Sequence, residues 1–288
     1  MRILVTGADG QLGMSLRKIA VQYPMHGFVF TDLREADITD RGVMERKVQE
    51  ISPDALINCA AYTAVDMAEK EPEAAAKLNV TGPGILASLA VEYGFRLIHI
   101  STDYVFDGNS RTPYKETDRP SPLTVYGATK LEGERVIALS GADAVVVRTS
   151  WLYSEFGRNF VKSMLRLAGE GKEINVVDDQ KGSPTYATDL ARALIGLLGK
   201  NGKGFSIYNF AGGDVITWYG FARRIFSMAG KSVILNPITS VGYPAAARRP
   251  QYSALDTTLA EKMGLQVRPL EASLTECLRA LDYPVKAI

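Results

Sequence analysis

Histidine and cysteine are scarce, with two of each in 288 residues. His26 and His99 are too few and too far apart in sequence for a zinc site or a histidine-based triad, so no metal is expected. Cys59 lies in the apolar run Leu56-Ile57-Asn58-Cys59-Ala60-Ala61 and reads as a reduced core thiol; with only Cys277 besides, a disulfide framework is excluded. Neither sign of charge is in excess, since 33 Lys and Arg face 32 Asp and Glu for a formal net of +1. That balance argues against nucleic acid and against a membrane surface as partners. Long hydrophobic runs are missing too, for none approaches the ~18 residues of a membrane span. The apolar start, Met1 to Gly7, is too short for a signal sequence. A cytoplasmic protein is the expectation.

What the chain does have is alternation. Ile3 to Thr6, Phe28 to Thr31, Ala55 to Asn58, Leu97 to Ser101 and Val145 to Thr149 read as short buried strands. Helical patterns lie between them: Leu12 to Val21, Gly42 to Ile51, Met67 to Ala90 with a break at Gly82-Pro83-Gly84, and Tyr126 to Leu139. This predicts an α/β fold, a Rossmann-type doubly wound parallel sheet with helices on both faces. After Trp151 the pattern loosens into a helix from Asn159 to Ala168, a strand from Ile174 to Val177 and a Gly182-Ser183-Pro184-Thr185 turn. A helix from Ala187 to Leu198, a strand from Ser206 to Phe210, a helix from Trp218 to Ala229 and two short closing helices follow. We expect residues 1–150 with 178–212 to form the dinucleotide-binding domain. Residues 151–177 with 213–288 would form a smaller mixed substrate-binding lobe.

The first strand runs into Thr6-Gly7-Ala8-Asp9-Gly10-Gln11-Leu12-Gly13 and then a helix. Glycines there permit a tight turn, let a pyrophosphate approach the backbone and allow close helix packing, and the helix N-terminus offers free N–H groups to the anion. Asp32, at the end of the second strand, falls where an acidic side chain would hold the adenosine ribose. Asp32 argues for NADH, whereas Arg34 could pair with the extra phosphate of NADPH, so NADPH or NADH is the expected cofactor with the preference open.

Thr102 follows the strand Leu97 to Ser101, and ligands of parallel sheets lie beyond the carboxyl ends of their strands. Tyr126 and Lys130 are four apart and share a helix face. The expectation is that a cation beside Tyr126 lowers its pKa from about 10 and readies it to exchange a proton with a substrate oxygen. Thr102, Tyr126 and Lys130 are therefore the candidate catalytic set, suited to a ketone whose oxygen gains negative charge as hydride arrives.

The glycine loop, Ser101-Thr102-Asp103 and Tyr126-x-x-x-Lys130 together resemble the extended short-chain dehydrogenase/reductase superfamily. Within it, Asn58 to Asp66, Ser101 to Gly108, Arg148 to Tyr153, Asn159-Phe160-Val161 and Gly182 to Thr185 resemble the dTDP-4-dehydrorhamnose reductase family. The likeness extends from Ile3 to Ala247-Arg248-Arg249-Pro250 and beyond. It implies NAD(P)H-dependent reduction of the C4 ketone of dTDP-4-dehydro-β-L-rhamnose to dTDP-L-rhamnose for bacterial cell-surface polysaccharide, with Tyr126 as proton donor. By position it places Gly7, Gly10, Gln11, Leu12, Gly13, Asp37, Ile38, Ala60, Ala61 and Tyr62 at the cofactor, with Tyr126 and Lys130 at its nicotinamide end. Val65, Thr102, Asp103, Tyr104 and Trp151 fall around the sugar, and Asn159 and Arg249 nearer the diphosphate and nucleotide. Trp151 reads equally as a core aromatic, and which of Arg248 and Arg249 reaches the phosphate stays open. A nucleotide sugar is the expected partner, and a homodimer is allowed.

Two rival readings remain. A dehydratase or epimerase would share the loop, Tyr126 and Lys130, but dehydratases of the superfamily follow the catalytic Thr with Asp-Glu, and here the run is Thr102-Asp103-Tyr104. A non-catalytic regulatory subunit, similar to the methionine adenosyltransferase β-subunit, would not need an intact Thr, Tyr and Lys set.

Overall fold

The computed structural model describes residues 1–200, 202–243 and 245–285. In its first half, β1 (Arg2–Thr6), β2 (Gly27–Phe30), β3 (Ala55–Asn58), β4 (Arg96–Thr102) and β5 (Ala144–Thr149) alternate with helices. These are α1 (Gln11–Ala20), α2 (Arg41–Ile51), the short α3 (Val65–Ala68) and α4 (Pro72–Ala76), then α5 (Gly82–Tyr93) and α6 (Val125–Leu139). Next come β6 (Leu152–Tyr153), α7 (Phe160–Gly169), β7 (Ile174–Val177), β8 (Lys181–Gly182), β9 (Thr185–Tyr186), α8 (Ala187–Leu198) and β10 (Phe205–Asn209). The chain closes with β11 (Ile216–Thr217), α9 (Trp218–Met228), β12 (Leu235–Ile238), α10 (Thr258–Lys262) and α11 (Leu270–Ala280).

Six strands pair in the order β10-β5-β4-β3-β1-β2, all parallel. Both faces are buried, and the two-residue period of a strand sends alternate side chains to opposite sides. Ile3 and Val5 join the core under α1 and α8, while Leu4 between them joins the core under α2 and α5. The strand order reverses between β1 and β3, which opens a crevice at their carboxyl ends. A separate apolar cluster centred on Tyr153, Val161, Ile174, Phe221, Ile225 and Leu274 holds the later helices together.

The structure corrects the long helix expected from Met67 to Ala90. The chain leaves α3 at Ala68, restarts at Pro72 and passes through a π-helical turn, Lys77–Thr81, into α5. Gly82-Pro83-Gly84 begins α5 rather than breaking a helix, because proline in a first turn forfeits an N–H that has no intrahelical acceptor anyway. The span Pro72–Tyr93 is 22 residues and apolar enough by composition to cross a membrane. Its apolar residues Leu86, Ala87, Leu89 and Ala90 are instead buried in the sheet core.

Candidate active site

At the end of β1 the backbone turns through Gly7 at φ +67°. A Cβ there would stand 2.5 Å from the Ala60 amide nitrogen, so only glycine lets the turn after β1 lie against the chain leaving β3. A Cβ at Gly13 would meet the Gly7 carbonyl oxygen at 2.5 Å, which shows how closely α1 crosses the loop. Gly10 caps α1 without a side-chain bond, and no acidic residue occupies the first turn. The opening N–H groups of α1 are therefore free to receive an anion.

These elements enclose a cavity of about 260 Å³ that gathers Gly7, Gly10, Asp32, Asp37, Ile38, Ala60 and Ala61. Leu33, Ala36 and Leu78 also line it, and the sequence did not single them out. The Asp32 carboxylate accepts from the Asp9 and Leu33 backbone N–H groups at 2.8 and 2.7 Å, so its position is set by the loop it serves. Arg34 is exposed and lies outside the lining. Leu12 is a core residue. Gln11 turns its amide oxygen to Ser154 and Asn159, each at 3.0 Å. The Tyr62 hydroxyl donates to Glu71 at 2.6 Å, and its amide donates to Asn79 Oδ1 at 2.9 Å. A cradle that a Cβ would fill, an uncapped helix N-terminus and a carboxylate at the far wall together fit a nicotinamide dinucleotide.

One strand along, β4 delivers Thr102 to the same rim, and α6 presents Tyr126 and Lys130 above it. Thr124 caps α6 by accepting from the Gly127 amide at 3.0 Å. A Cβ at Gly127 would lie 2.1 Å from the Tyr104 carbonyl oxygen, so α6 rests directly on the chain after Thr102. Tyr126 consequently meets Tyr104 edge to face with ring centroids 5.6 Å apart. Below, Arg148 on β5 grips Glu134 through two bonds of 2.9 and 2.6 Å, and Ser101 donates to the same carboxylate. This buried pair pins α6 to the sheet.

The Thr102 hydroxyl donates to Asp103 at 3.1 Å and accepts from the Tyr104 amide at 3.2 Å. Burial pushes the Tyr126 phenol up to about 12, with the Asp103 charge adding to the rise and the Thr102 hydrogen bond opposing it. The expected lowering by Lys130 is not what the geometry gives. Lys130 Nζ points instead to the Ile100 carbonyl oxygen at 2.6 Å and to His99 Nε2 at 3.2 Å, and burial brings it down to about 8 despite Glu134. Tyr126 is thus held as a neutral phenol, the form that can donate a proton.

His99 belongs to a buried chain of polar groups reaching Lys130. Asn58 Oδ1 accepts from Thr6 Oγ1 at 2.8 Å and from the Ala60 amide at 3.1 Å, which orients the Asn58 side chain. Its Nδ2 therefore faces His99 Nδ1 at 3.0 Å, and Lys130 Nζ stands 3.2 Å from Nε2 on the other side of the ring. Burial and Lys130 hold His99 well below its ordinary range, in keeping with a neutral ring.

On the other side of Thr102 runs the chain leaving β5. Trp151 adopts φ +47° and stacks on Trp218 with centroids 3.5 Å apart and planes within 5°. Beyond Trp218 opens a cavity of about 400 Å³ lined by Phe160, Leu167, Val176, Gln180, Trp218 and Arg249 among others. Arg249 faces this cavity and Arg248 faces solvent, which separates the two arginines. Arg249 also bridges Asp66 at 2.7 and 3.3 Å, beside Val65 at the start of α3. Asn159 caps α7 by accepting from the Lys162 amide at 3.1 Å, and its amide donors are taken by Gln11, Ser154 and Phe156. Asp103 is 2% exposed, and burial raises its carboxyl to about 6 against the opposing hydrogen bonds from Ser253 and Thr102. Trp218, Phe160 and Asp66 were not among the residues expected at the site, although Phe160 and Asp66 lie inside runs that carry the family resemblance.

A family model described as RmlD substrate binding domain matches residues 1–283. The chain is 42% identical over 276 residues to dTDP-4-dehydrorhamnose reductase of Aggregatibacter actinomycetemcomitans, covering 92% of this chain and 94% of that protein. It is 37% identical over 278 residues to spore coat polysaccharide biosynthesis protein SpsK of Bacillus subtilis, covering 96% and 97%. Among solved structures, dTDP-4-dehydrorhamnose reductase of Bacillus anthracis in complex with NADP superposes with a TM-score of 0.93 at 38% identity, over 97% of this chain and 99% of that one. A UDP-glucose 4-epimerase from Thermus thermophilus, at 19% identity and a TM-score of 0.83 over 98% of this chain and 99% of that one, shares the fold alone. With these matches spanning nearly its whole length, the chain belongs to the dTDP-4-dehydrorhamnose reductase family.

Proposed function

We propose that the protein reduces the C4 ketone of dTDP-4-dehydro-β-L-rhamnose with NADPH or NADH, giving dTDP-L-rhamnose. The observation that carries this reading is the placement of Thr102, at the end of β4, and a neutral Tyr126, in the first turn of α6, between the glycine cradle and the Trp218 cavity. The bound nicotinamide supplies the hydride. Gly7, Gly10 and the N-terminus of α1 hold the pyrophosphate, with Gln11, Leu12 and Gly13 shaping that turn. Asp32 takes the adenosine ribose, Asp37 and Ile38 the adenine side, and Ala60, Ala61 and Tyr62 the floor below. Arg34 lies close enough in sequence to Asp32 to serve a 2′-phosphate. Lys130 serves the nicotinamide ribose.

At the ketone, Thr102 donates a hydrogen bond to the oxygen and Tyr126 transfers its phenolic proton to the same atom as negative charge develops there. A phenol near 12 and an alkoxide of still higher proton affinity make that transfer downhill. Val65, Asp103, Tyr104 and Trp151 surround the sugar, while Arg249 faces the diphosphate and Asn159 anchors the wall nearby. The division into a dinucleotide domain of residues 1–150 with 178–212 and a lobe of 151–177 with 213–288 belongs to this reading; two separate core clusters support it, although Ala260 and Leu265 pack with the first core and Tyr186 with the second. So do a cytoplasmic location, the absence of nucleic-acid and membrane partners, and a homodimeric assembly.

The test is to supply the 4-keto sugar nucleotide with each reduced nicotinamide in turn. One cofactor oxidised per sugar reduced is the expected stoichiometry. Conversion of sugar without net oxidation would mean an epimerase, and binding without conversion a regulatory subunit.

A further inference from the structure

Trp151 emerges two residues beyond Thr149, the register partner of Thr102, so it stands on the rim where the sugar is reduced. Its φ of +47° is a conformation that costs a bulky residue on the order of 1–2 kcal/mol, so neighbouring contacts must hold it. Three do. The Thr185 amide donates to its carbonyl oxygen at 3.2 Å. The indole edge lies so close to β8 that a Cβ at Gly182 would meet Trp151 Cε2 at 2.5 Å and Nε1 at 2.6 Å. Trp218 covers it face to face, 3.5 Å between centroids. Aromatic pairs left to themselves choose offset or edge-on packing, so the parallel sandwich is imposed by the surroundings.

Trp218 also belongs to a second site. With Phe160, 4.6 Å away and tilted by 52°, it lines the cavity of about 400 Å³ that Arg249 faces. Flat aromatics, the aliphatic walls Leu167 and Val176 and one guanidinium suit a nucleoside diphosphate, whose base stacks and whose phosphates pair with the cation.

We propose that Trp218 is a positioning residue that couples the two: a base seated in the cavity fixes Trp218, and the stack then fixes Trp151 against the sugar. Binding energy from the nucleotide, remote from the ketone, is thereby converted into orientation at the reacting carbon. This rests on the reaction proposed above.

The chain has two tryptophans, so the stacked pair can be followed in the unaltered protein through its exciton-coupled circular dichroism and its fluorescence. The couplet should be present in the parent, vanish in Trp218→Phe, and change saturably on titration with thymidine diphosphate alone. In turnover, Trp218→Leu should lower kcat by about tenfold or more with the affinity for reduced nicotinamide unchanged, and Trp218→Phe should recover most of that loss. Absence of the couplet from the parent would overturn the proposal. So would thymidine diphosphate inhibiting competitively without altering the couplet, or a Leu variant with parent kcat and only a raised KM, since Trp218 would then be a mere wall. A parent that does not reduce the 4-keto sugar, yet answers thymidine diphosphate with the spectral change, would refute the assigned reaction and leave the coupling standing.

Discussion

Between β1 and β3 the floor of the crevice is backbone: Gly7 against the Ala60 amide, Gly13 against the Gly7 carbonyl, and the bare N-terminus of α1. Around Trp218 the walls are side chains drawn from α7, β7, α9 and the segment before Pro250. A backbone cradle admits any ligand of the right skeleton and fails outright when one atom is added. A side-chain wall is adjustable and loses affinity in steps. The first arrangement suits a shared cofactor and the second a specific sugar nucleotide.

The harshest way to break this contrast is Gly7→Val. A β-branched residue at φ +67° against a backbone nitrogen should weaken cofactor binding on the order of 10³-fold, read by fluorescence titration, with thymidine diphosphate binding nearly unchanged. Equal loss of both ligands would show that the two sides are not separately built.

Asp103 sits on the seam between them. Its folded value of about 6 lies above the ordinary 3.8, so the native state holds this proton longer than the unfolded chain does and stability falls as pH rises from about 4 to about 6. Asp103→Asn should therefore gain roughly 2–3 kcal/mol at pH 7 and almost nothing at pH 4 in denaturant melts. A loss of stability at neutral pH would mean that the carboxylate is better solvated than its burial indicates.

On the side-chain wall, Arg249→Ala should raise the KM for the sugar nucleotide by about thirtyfold, the worth of one charge-assisted contact, while Arg248→Ala changes it little. The reverse ranking would put Arg248 at the phosphates. The mildest effect is expected from Asp32→Ala, about a fivefold shift in kcat/KM toward NADPH over NADH. No shift would place the Asp32 carboxylate away from the 2′ position.

The same contrast explains what could be read from the chain alone. Gly7, Gly10 and Asp32 lie at strand ends in short local patterns, and Tyr126 with Lys130 shares a helix face, so spacing was enough to mark them, whereas Ala60 and Ala61 came from the family resemblance alone. The direction in which Lys130 points was not legible, because it depends on His99 and Asn58 on neighbouring strands and on how deeply α6 is seated by Gly127 and Glu134. Asp66 and Arg249 are 183 residues apart, and α7, α8 and β10 lie in sequence between Trp151 and Trp218. The helical break at 69–71 and the π turn before Gly82 escaped for a related reason. Proline and glycine can start a helix as well as end one, and the choice is made by packing against α6.

The central claim is that hydride reaches the sugar carbon as Tyr126 protonates its oxygen. Rapid-mixing transfer of deuterium from C4-labelled reduced nicotinamide tests it most directly. The parent should place one deuterium at C4 of the product rhamnose, and Tyr126→Phe should bind cofactor normally while slowing transfer by about 10³-fold. Product without deuterium at C4, or transfer by Tyr126→Phe at the parent rate, would contradict the account.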